Sequence, residues 1–123
     1  MKWNLLIITL LTSLNAGANE KYIGTYLTVS ESECNYDLNL LKNGNGAFVF
    51  TCRRENGSHI DDKETQEIKW QATGNKIIIQ IDGNPEIFIY KPLLSCNSFG
   101  QKGSNTGLVG YGTEFWRKPI ICK

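Results

Sequence analysis

The sequence predicts an all-β fold: a small antiparallel β-barrel of seven or eight strands or, alternatively, a two-layer sandwich. Two observations carry that expectation. Beyond residue 18 helical periodicity is absent, while apolar residues recur at every second position in short runs rich in Ile, Val, Phe, Tyr and Trp. Those runs are separated by clusters of Gly and Asn, the residues that accept the positive φ of tight turns. A chain of 123 residues, 41% of them hydrophobic, is long enough for one core and too short for two. Barrels and sandwiches are the two arrangements in which every short strand buries one face.

Met1, Lys2, the apolar run over residues 5–14 and Ala16-Gly17-Ala18 form a charged start, a hydrophobic centre and an A-x-A cleavage site. Residues 1–18 therefore read as a signal peptide and residues 19–123 as a single domain, secreted or periplasmic. Asn19 stands where a lipoprotein would carry cysteine. Lys2 leaves with the signal, so the 13 lysines and arginines fall level with the 12 aspartates and glutamates. A neutral domain lacks the cationic surplus that grips nucleic acid or anionic membrane, and nothing after residue 18 is apolar for long enough to span a bilayer. A monomer is expected.

Cys34, Cys52, Cys96 and Cys122 all fall in the exported part, where an even number reads as disulfides. Zinc sites use close cysteine pairs, which are missing here. Four cysteines allow three connectivities; Cys34 with Cys52 and Cys96 with Cys122 is the one favoured.

The first strand covers residues 21–29, a polar segment 30–33 turns the chain, and a second strand covers 34–41. Asn43-Gly44-Asn45-Gly46 then leads into a strand over 47–53. A three-residue loop at 43–45, with Gly46 in a left-handed bulge, sets Leu40 opposite Phe48, Leu38 opposite Phe50 and Tyr36 opposite Cys52, all on one face. In that register Cys34 is diagonal to Cys52, so the strand must splay or bulge for the disulfide to form. A polar loop over 55–63 precedes a hairpin of 66–73 and 76–81 about Gly74-Asn75, which sets Ala72 opposite Ile77, Trp70 opposite Ile79 and Ile68 opposite Ile81. The turn Asp82-Gly83-Asn84-Pro85 leads to a strand over 86–91, pairing Ile79 with Phe88 and Ile77 with Tyr90. Pro92 closes this unit. Residues 97–107, with Gly100, Gly103 and Gly107, read as a long mobile loop. Strands resume at 108–111 and 113–118, and 119–122 form a tail.

Enzymatic readings fail by absence. His59, the only histidine, sits in the polar loop beside Ser58, Asp61 and Asp62, where flexible neighbours rarely hold a nucleophile and base in place. Arg53, Arg54 and Glu55 sketch a nuclease site no better, and Asp61-Asp62 lacks the alternating ligands of a calcium loop. Phosphate loops and dinucleotide fingerprints are missing. No catalytic residue, metal or cofactor is expected. Asn56-Gly57-Ser58 matches a glycosylation sequon but reads better as a turn.

Binding remains, by elimination, to an apolar small molecule or to an extracytoplasmic protein. Tyr36, Phe48, Phe50 and Trp70 belong to one inward face that also takes in Leu38, Leu40, Ile68, Ile77, Ile79 and Phe88. These four aromatic residues are the expected ligand contacts at the barrel mouth, although ten such side chains pack solid more readily than they enclose a cavity. Ile78, Ile87 and Ile89 make a second apolar patch on the other face, expected to lie under a terminal segment or, alternatively, to be offered to a partner. Tyr111, Phe115, Trp116 and Arg117, following the glycine-rich segment, are the expected contacts with a protein partner.

Through Tyr22-Ile23-Gly24-Thr25-Tyr26, residues 38–50 and residues 70–81, the chain resembles small lipocalin-like domains of exported bacterial proteins. These share an opening Gly-x-aromatic strand, an Asn/Gly hairpin and a Trp strand returning through Gly-Asn. The resemblance implies a barrel that holds an apolar ligand, with Arg117 packed on Tyr26 as the C-terminal arginine of lipocalins packs on the opening tryptophan. Gly110-Tyr111-Gly112 followed by Phe115-Trp116 and Lys118 also resembles the ending of small periplasmic lysozyme inhibitors. That implies an alternative function, inhibition of a cell-wall hydrolase by the segment 97–118.

Overall fold

The computed structural model describes residues 20–28, 34–53 and 60–122. The expected signal peptide, Asn19, the polar turn 30–33, Arg54, Glu55, the sequon and the Ser58-His59 pair lie outside the described residues. Eight strands form one closed antiparallel barrel in chain order: β1 (Gly24–Leu27), β2 (Cys34–Leu40), β3 (Asn45–Arg53), β4 (Ile60–Thr73), β5 (Lys76–Ile81), β6 (Asn84–Ser95), β7 (Ser104–Gly110) and β8 (Thr113–Arg117). Each strand pairs with the next, and β8 returns to β1 through Tyr26 opposite Arg117 and Leu27 opposite Trp116. Among the described residues there is no α-helix; three short 3₁₀ turns, Glu20–Tyr22, Lys42–Gly44 and Cys96–Phe99, occupy connections.

Strand alternation places one stripe of every strand inside. Tyr26, Leu38, Leu40, Ile77, Ile79, Phe88, Leu108 and Phe115 are fully buried there, with Ile68, Ile81 and Trp70 nearly so. The barrel interior is packed side chain against side chain. Fully burying each aliphatic or aromatic side chain contributes roughly 1.5–3 kcal/mol, and closure leaves no edge strand to aggregate.

Two registers differ from expectation by two residues. Leu38 faces Phe48, Tyr36 faces Phe50 and Leu40 faces Gly46, because the turn begins earlier than read. The Leu41 amide donates to the Asn45 carbonyl at 2.8 Å, and the left-handed residues are Asn43 and Gly44 rather than Gly46. The shift puts Cys34 directly opposite Cys52, so the disulfide forms without a splayed strand. Likewise Asp82 and Gly83 form a two-residue turn, both at positive φ, which sets Ile77 opposite Phe88 and Ile79 opposite Glu86. A slip of two preserves the face, so every inward residue stays inward. The Gly74-Asn75 hairpin matches, with Trp70 opposite Ile79 and Ala72 opposite Ile77.

Three boundaries are corrected as well. Residues 60–63 belong to β4 because they pair with the end of β3, Thr51 opposite Lys63 and Cys52 opposite Asp62, which satisfies a polar stretch that reads as loop. Pro92 does not end β6; the β6–β7 register shifts between Lys91 and Leu94, and the missing amide falls in that irregularity. The segment read as a long loop is a 3₁₀ turn followed by β7. Gly107 is a strand residue, and a Cβ there would stand 2.6 Å from the Phe115 carbonyl and 2.7 Å from the Leu94 side chain.

The second disulfide, Cys96–Cys122, holds the tail against the outer wall. Leu94, Cys96 and Trp116 form a small exterior core there, with Val109, Ile120 and Cys122 packed on it. Buried Asn105 pins the tail: its Nδ2 donates to the Arg117 carbonyl at 3.1 Å and its Oδ1 accepts from the Ile121 amide at 2.7 Å. The tail covers this wall and not the whole isoleucine patch. Ile78 and Ile87 pair across β5 and β6, and Ile87 is 58% exposed, contrary to the expectation that a terminal segment covers it.

A Cβ at Gly46 would stand 2.3 Å from the Asn39 carbonyl, a backbone atom that cannot swing aside. Gly46→Ala is expected to lower stability by about 1–3 kcal/mol, the usual cost of overpacking. A urea midpoint equal to wild type would disprove that cost.

Candidate functional site

The two ends of the barrel are chemically different. At one end the 3₁₀ turn Glu20–Tyr22 lies across the opening. The Tyr22 ring meets Trp70 and Tyr90 edge to face at 6.4 and 4.8 Å, and its hydroxyl donates to the Gly74 carbonyl. Trp70 Nε1 donates to the carbonyls of Leu41 and Asn45 at 3.0 and 2.8 Å, tying the β2–β3 turn to β4. The Arg117 guanidinium donates to the carbonyls of Lys21 and Ile23 and lies 5.7 Å from the centre of the Tyr26 ring. This end is closed.

The tight β5–β6 turn at Asp82-Gly83 and the tight β7–β8 turn at Tyr111-Gly112 stand at the other end. Between them opens a hollow of about 190 Å³ lined by Tyr36, Phe48, Phe50, Glu64, Gln66, Asp82 and Tyr111. The hairpin register makes its floor: Tyr36 stacks on Phe48 at 5.2 Å, 11° from parallel, and leans on Phe50 at 5.1 Å. Tyr111 makes the wall, edge-on to Tyr36 at 5.5 Å and to Phe48 at 5.4 Å. It reaches that position because Tyr111 and Gly112 form the tight β7–β8 turn at positive φ. Tyr111 remains 37% exposed.

The opposite wall is polar by continuation of the β4 stripe. Read from the closed end, its inward positions run Ala72, Trp70, Ile68, Gln66 and Glu64, passing from apolar to charged at the mouth. The Gln66 amide donates to Asp82 Oδ1 and accepts from the Asp82 backbone amide at 2.8 Å, so the Asp82 carboxylate is held in place. Glu86, two residues before buried Phe88, stands on the same inward face of β6. Burial first, then Tyr36, Asp82 and Glu86, hold the Tyr111 hydroxyl above its ordinary pKa of 10.0. Asp82 and Glu86 thus act as negative charges on the Tyr111 hydroxyl.

Among the residues whose side chains are described, charge is sorted along the barrel axis. Lys21, Lys42, Lys69, Lys76, Lys91, Lys102, Arg117 and Lys118 all stand at or near the closed end. Glu64, Asp82, Glu86 and Glu114 stand towards the mouth. Among the residues whose side chains are described, Lys63 is the mouth-side cation, Glu20 and Glu67 are the acids towards the closed end, and Asp37 lies in the middle of β2.

Of the expected ligand contacts, the structure gathers Tyr36, Phe48 and Phe50 at the mouth and places Trp70 at the closed end, 5% exposed. Of the expected partner contacts, Phe115 is inside the barrel, Trp116 is in the exterior core and Arg117 is bonded across the closed end. Tyr111 alone of these four reaches the mouth. Sequence reasoning misses Glu64, Gln66 and Asp82; the inward parity of Glu64 and Gln66, four and two residues before Ile68, is the signal that finds those two. A larger hollow of about 320 Å³ lies on the outer wall beside Asn105, Arg117 and Pro119, where the polar groups already hold the tail. Among the described residues no group of His, Cys, Asp or Glu is arranged to hold a metal. No helix among them is long and apolar enough to cross a membrane.

Comparison of the chain with family models, with curated proteins and with solved structures finds no match.

Tyr26 donates to the Tyr22 carbonyl at 2.8 Å in the core, and burial raises its pKa well above 10.0 despite the opposing pull of Arg117. The folded chain keeps this proton at pH values where the unfolded chain has lost it. Stability is therefore full below about pH 10 and falls as pH rises beyond it. Tyr26→Phe is expected to lose roughly 1–3 kcal/mol at neutral pH through the unsatisfied carbonyl, and to decline less steeply in alkali. Thermal unfolding midpoints across that range check both; parallel declines would contradict the assignment.

Proposed function

We propose that the protein is an exported, non-enzymatic, lipocalin-like binding protein that takes a small ligand at the open end of its barrel. One observation carries the reading: the interior is filled and one end is sealed, while the other end keeps an aromatic hollow open to solvent. Such concave, ring-lined sites with a few placed polar groups are where small molecules bind. The lipocalin-like reading draws support from the Gly24-x-Tyr26 opening strand, the short turn laid across the closed end, and Arg117 against the Tyr26 ring. Two disulfides suit an oxidising, extracytoplasmic compartment.

The volume limits the ligand. About 190 Å³ is smaller than the roughly 300–1,000 Å³ of sites that enclose a drug-sized molecule. The mouth therefore suits one ring or one compact head group, and a long chain has no interior to enter. Inhibition of a cell-wall hydrolase through residues 97–118 has less support. Most of that segment is strand, and Phe115, Trp116 and Arg117 are committed to the fold.

Phe50→Ala is expected to abolish ligand uptake and Trp70→Phe to preserve it, because Trp70 serves the closed end. Native mass spectrometry of the two folded variants, recovered from their own extracytoplasmic fraction, reads the adduct directly. Uptake retained by Phe50→Ala and lost by Trp70→Phe would reverse the placement of the site.

A further inference from the structure

We propose that the mouth recognises a small organic cation, an ammonium group carried on a compact apolar body. The inference rests on the mouth being the binding site and names the class of ligand that fits it. Two independent features of the hollow select the same charge. The first is the aromatic corner: Tyr36, Phe48 and Phe50 form a floor and Tyr111 a perpendicular wall, all with centroids 5.1–5.5 Å from a neighbouring ring. Ring faces carry negative quadrupole potential, and an ammonium within about 6 Å of a centroid is attracted to it. The second is the facing wall, where Glu64 and the Asp82 carboxylate steadied by Gln66 complete the lining.

Each alternative class of ligand meets a specific penalty. An anion is repelled by Glu64, Asp82 and Glu86. A neutral apolar body gains from the rings but removes water from carboxylates it cannot satisfy, which costs free energy. A cation with apolar substituents gains from both walls. It is also drawn to the correct end of the molecule, because most of the basic residues whose side chains are described stand at the far, closed end. A segregated field of this kind raises the local concentration of a counter-charged ligand and its rate of arrival. The small volume selects a trimethylammonium-sized group over a larger amphiphile.

The test compares benzyltrimethylammonium with its uncharged carbon isostere, neopentylbenzene, on the purified protein with both disulfides intact. Binding is read by titration of the side-chain NMR signals of Tyr36, Phe50 and Tyr111. The expected result is that the cation binds about tenfold or more tighter than the isostere, a gap of about 1.4 kcal/mol. Added salt weakens the cation and leaves the isostere unchanged. The double variant Glu64→Gln, Asp82→Asn preserves shape, and Asn accepts the positive φ of residue 82, so it should fold and lose most of that preference. Equal affinity for the two probes, or a preference that survives in the double variant, overturns the cation assignment and leaves the mouth as a binding site. Shifts confined to residues away from the mouth, or no binding of either probe, overturn the assignment together with the proposed function.

Discussion

The pairing of the first strand with the last is the contact on which the rest of the barrel depends. Eight strands in chain order are only a curled ribbon until β1 meets β8, and that seam is short: Tyr26 with Arg117, Leu27 with Trp116, and the Lys118 amide on the Thr25 carbonyl at 2.9 Å. Side chains make up for its shortness. Arg117 reaches across the seam to carbonyls before β1, Tyr26 and Phe115 bury themselves from either side of it, and Trp116 carries the exterior core that holds the tail. Without the seam two edges would open, the interior stripes would meet water, and the ring floor would lose Tyr111, which β7 and β8 hold in place.

Closure also divides the molecule's labour by height. Near the closed end large side chains fill the section completely, and tyrosine and tryptophan find carbonyl partners for their polar tips. Near the mouth the same inward positions turn to Glu64, Gln66 and Glu86, which cannot be buried without partners, so the packing stops and a hollow begins. The site is thus a consequence of where the apolar stripe runs out.

That explains what could be read from the sequence and what could not. Period-two alternation reports which face a residue takes, and a register slip of two leaves the face unchanged, so the inward set and the adjoining Cys34–Cys52 pair were legible despite two misplaced turns. Alternation says nothing of height along the barrel. Trp70 shares a face with Phe48 and Phe50 but lies at the other end, and Tyr111 reaches the site through a turn conformation that no periodicity encodes. Glycine was the other blind spot. In the run 43–46 the left-handed positions are the middle Asn43 and Gly44, while Gly46 is glycine because the Asn39 carbonyl occupies the place of a Cβ. Gly107 and Gly110 follow the same logic against Phe115, Leu94 and Phe88, so a stretch that resembled a flexible loop is a strand under close contact.

The order of the strands also governs when the molecule can become itself. Seven of the eight pairings join neighbours in the chain, which local hairpins supply as soon as each is available, whereas the eighth joins the first strand of the barrel sequence to the last. A chain delivered amino end first therefore waits with an open ribbon until Arg117 arrives, its interior stripe and its two outer strands uncovered. The interval between the first hairpin and the last strand is when this domain is most exposed to misassembly, and when a chaperone would have the most surface to hold.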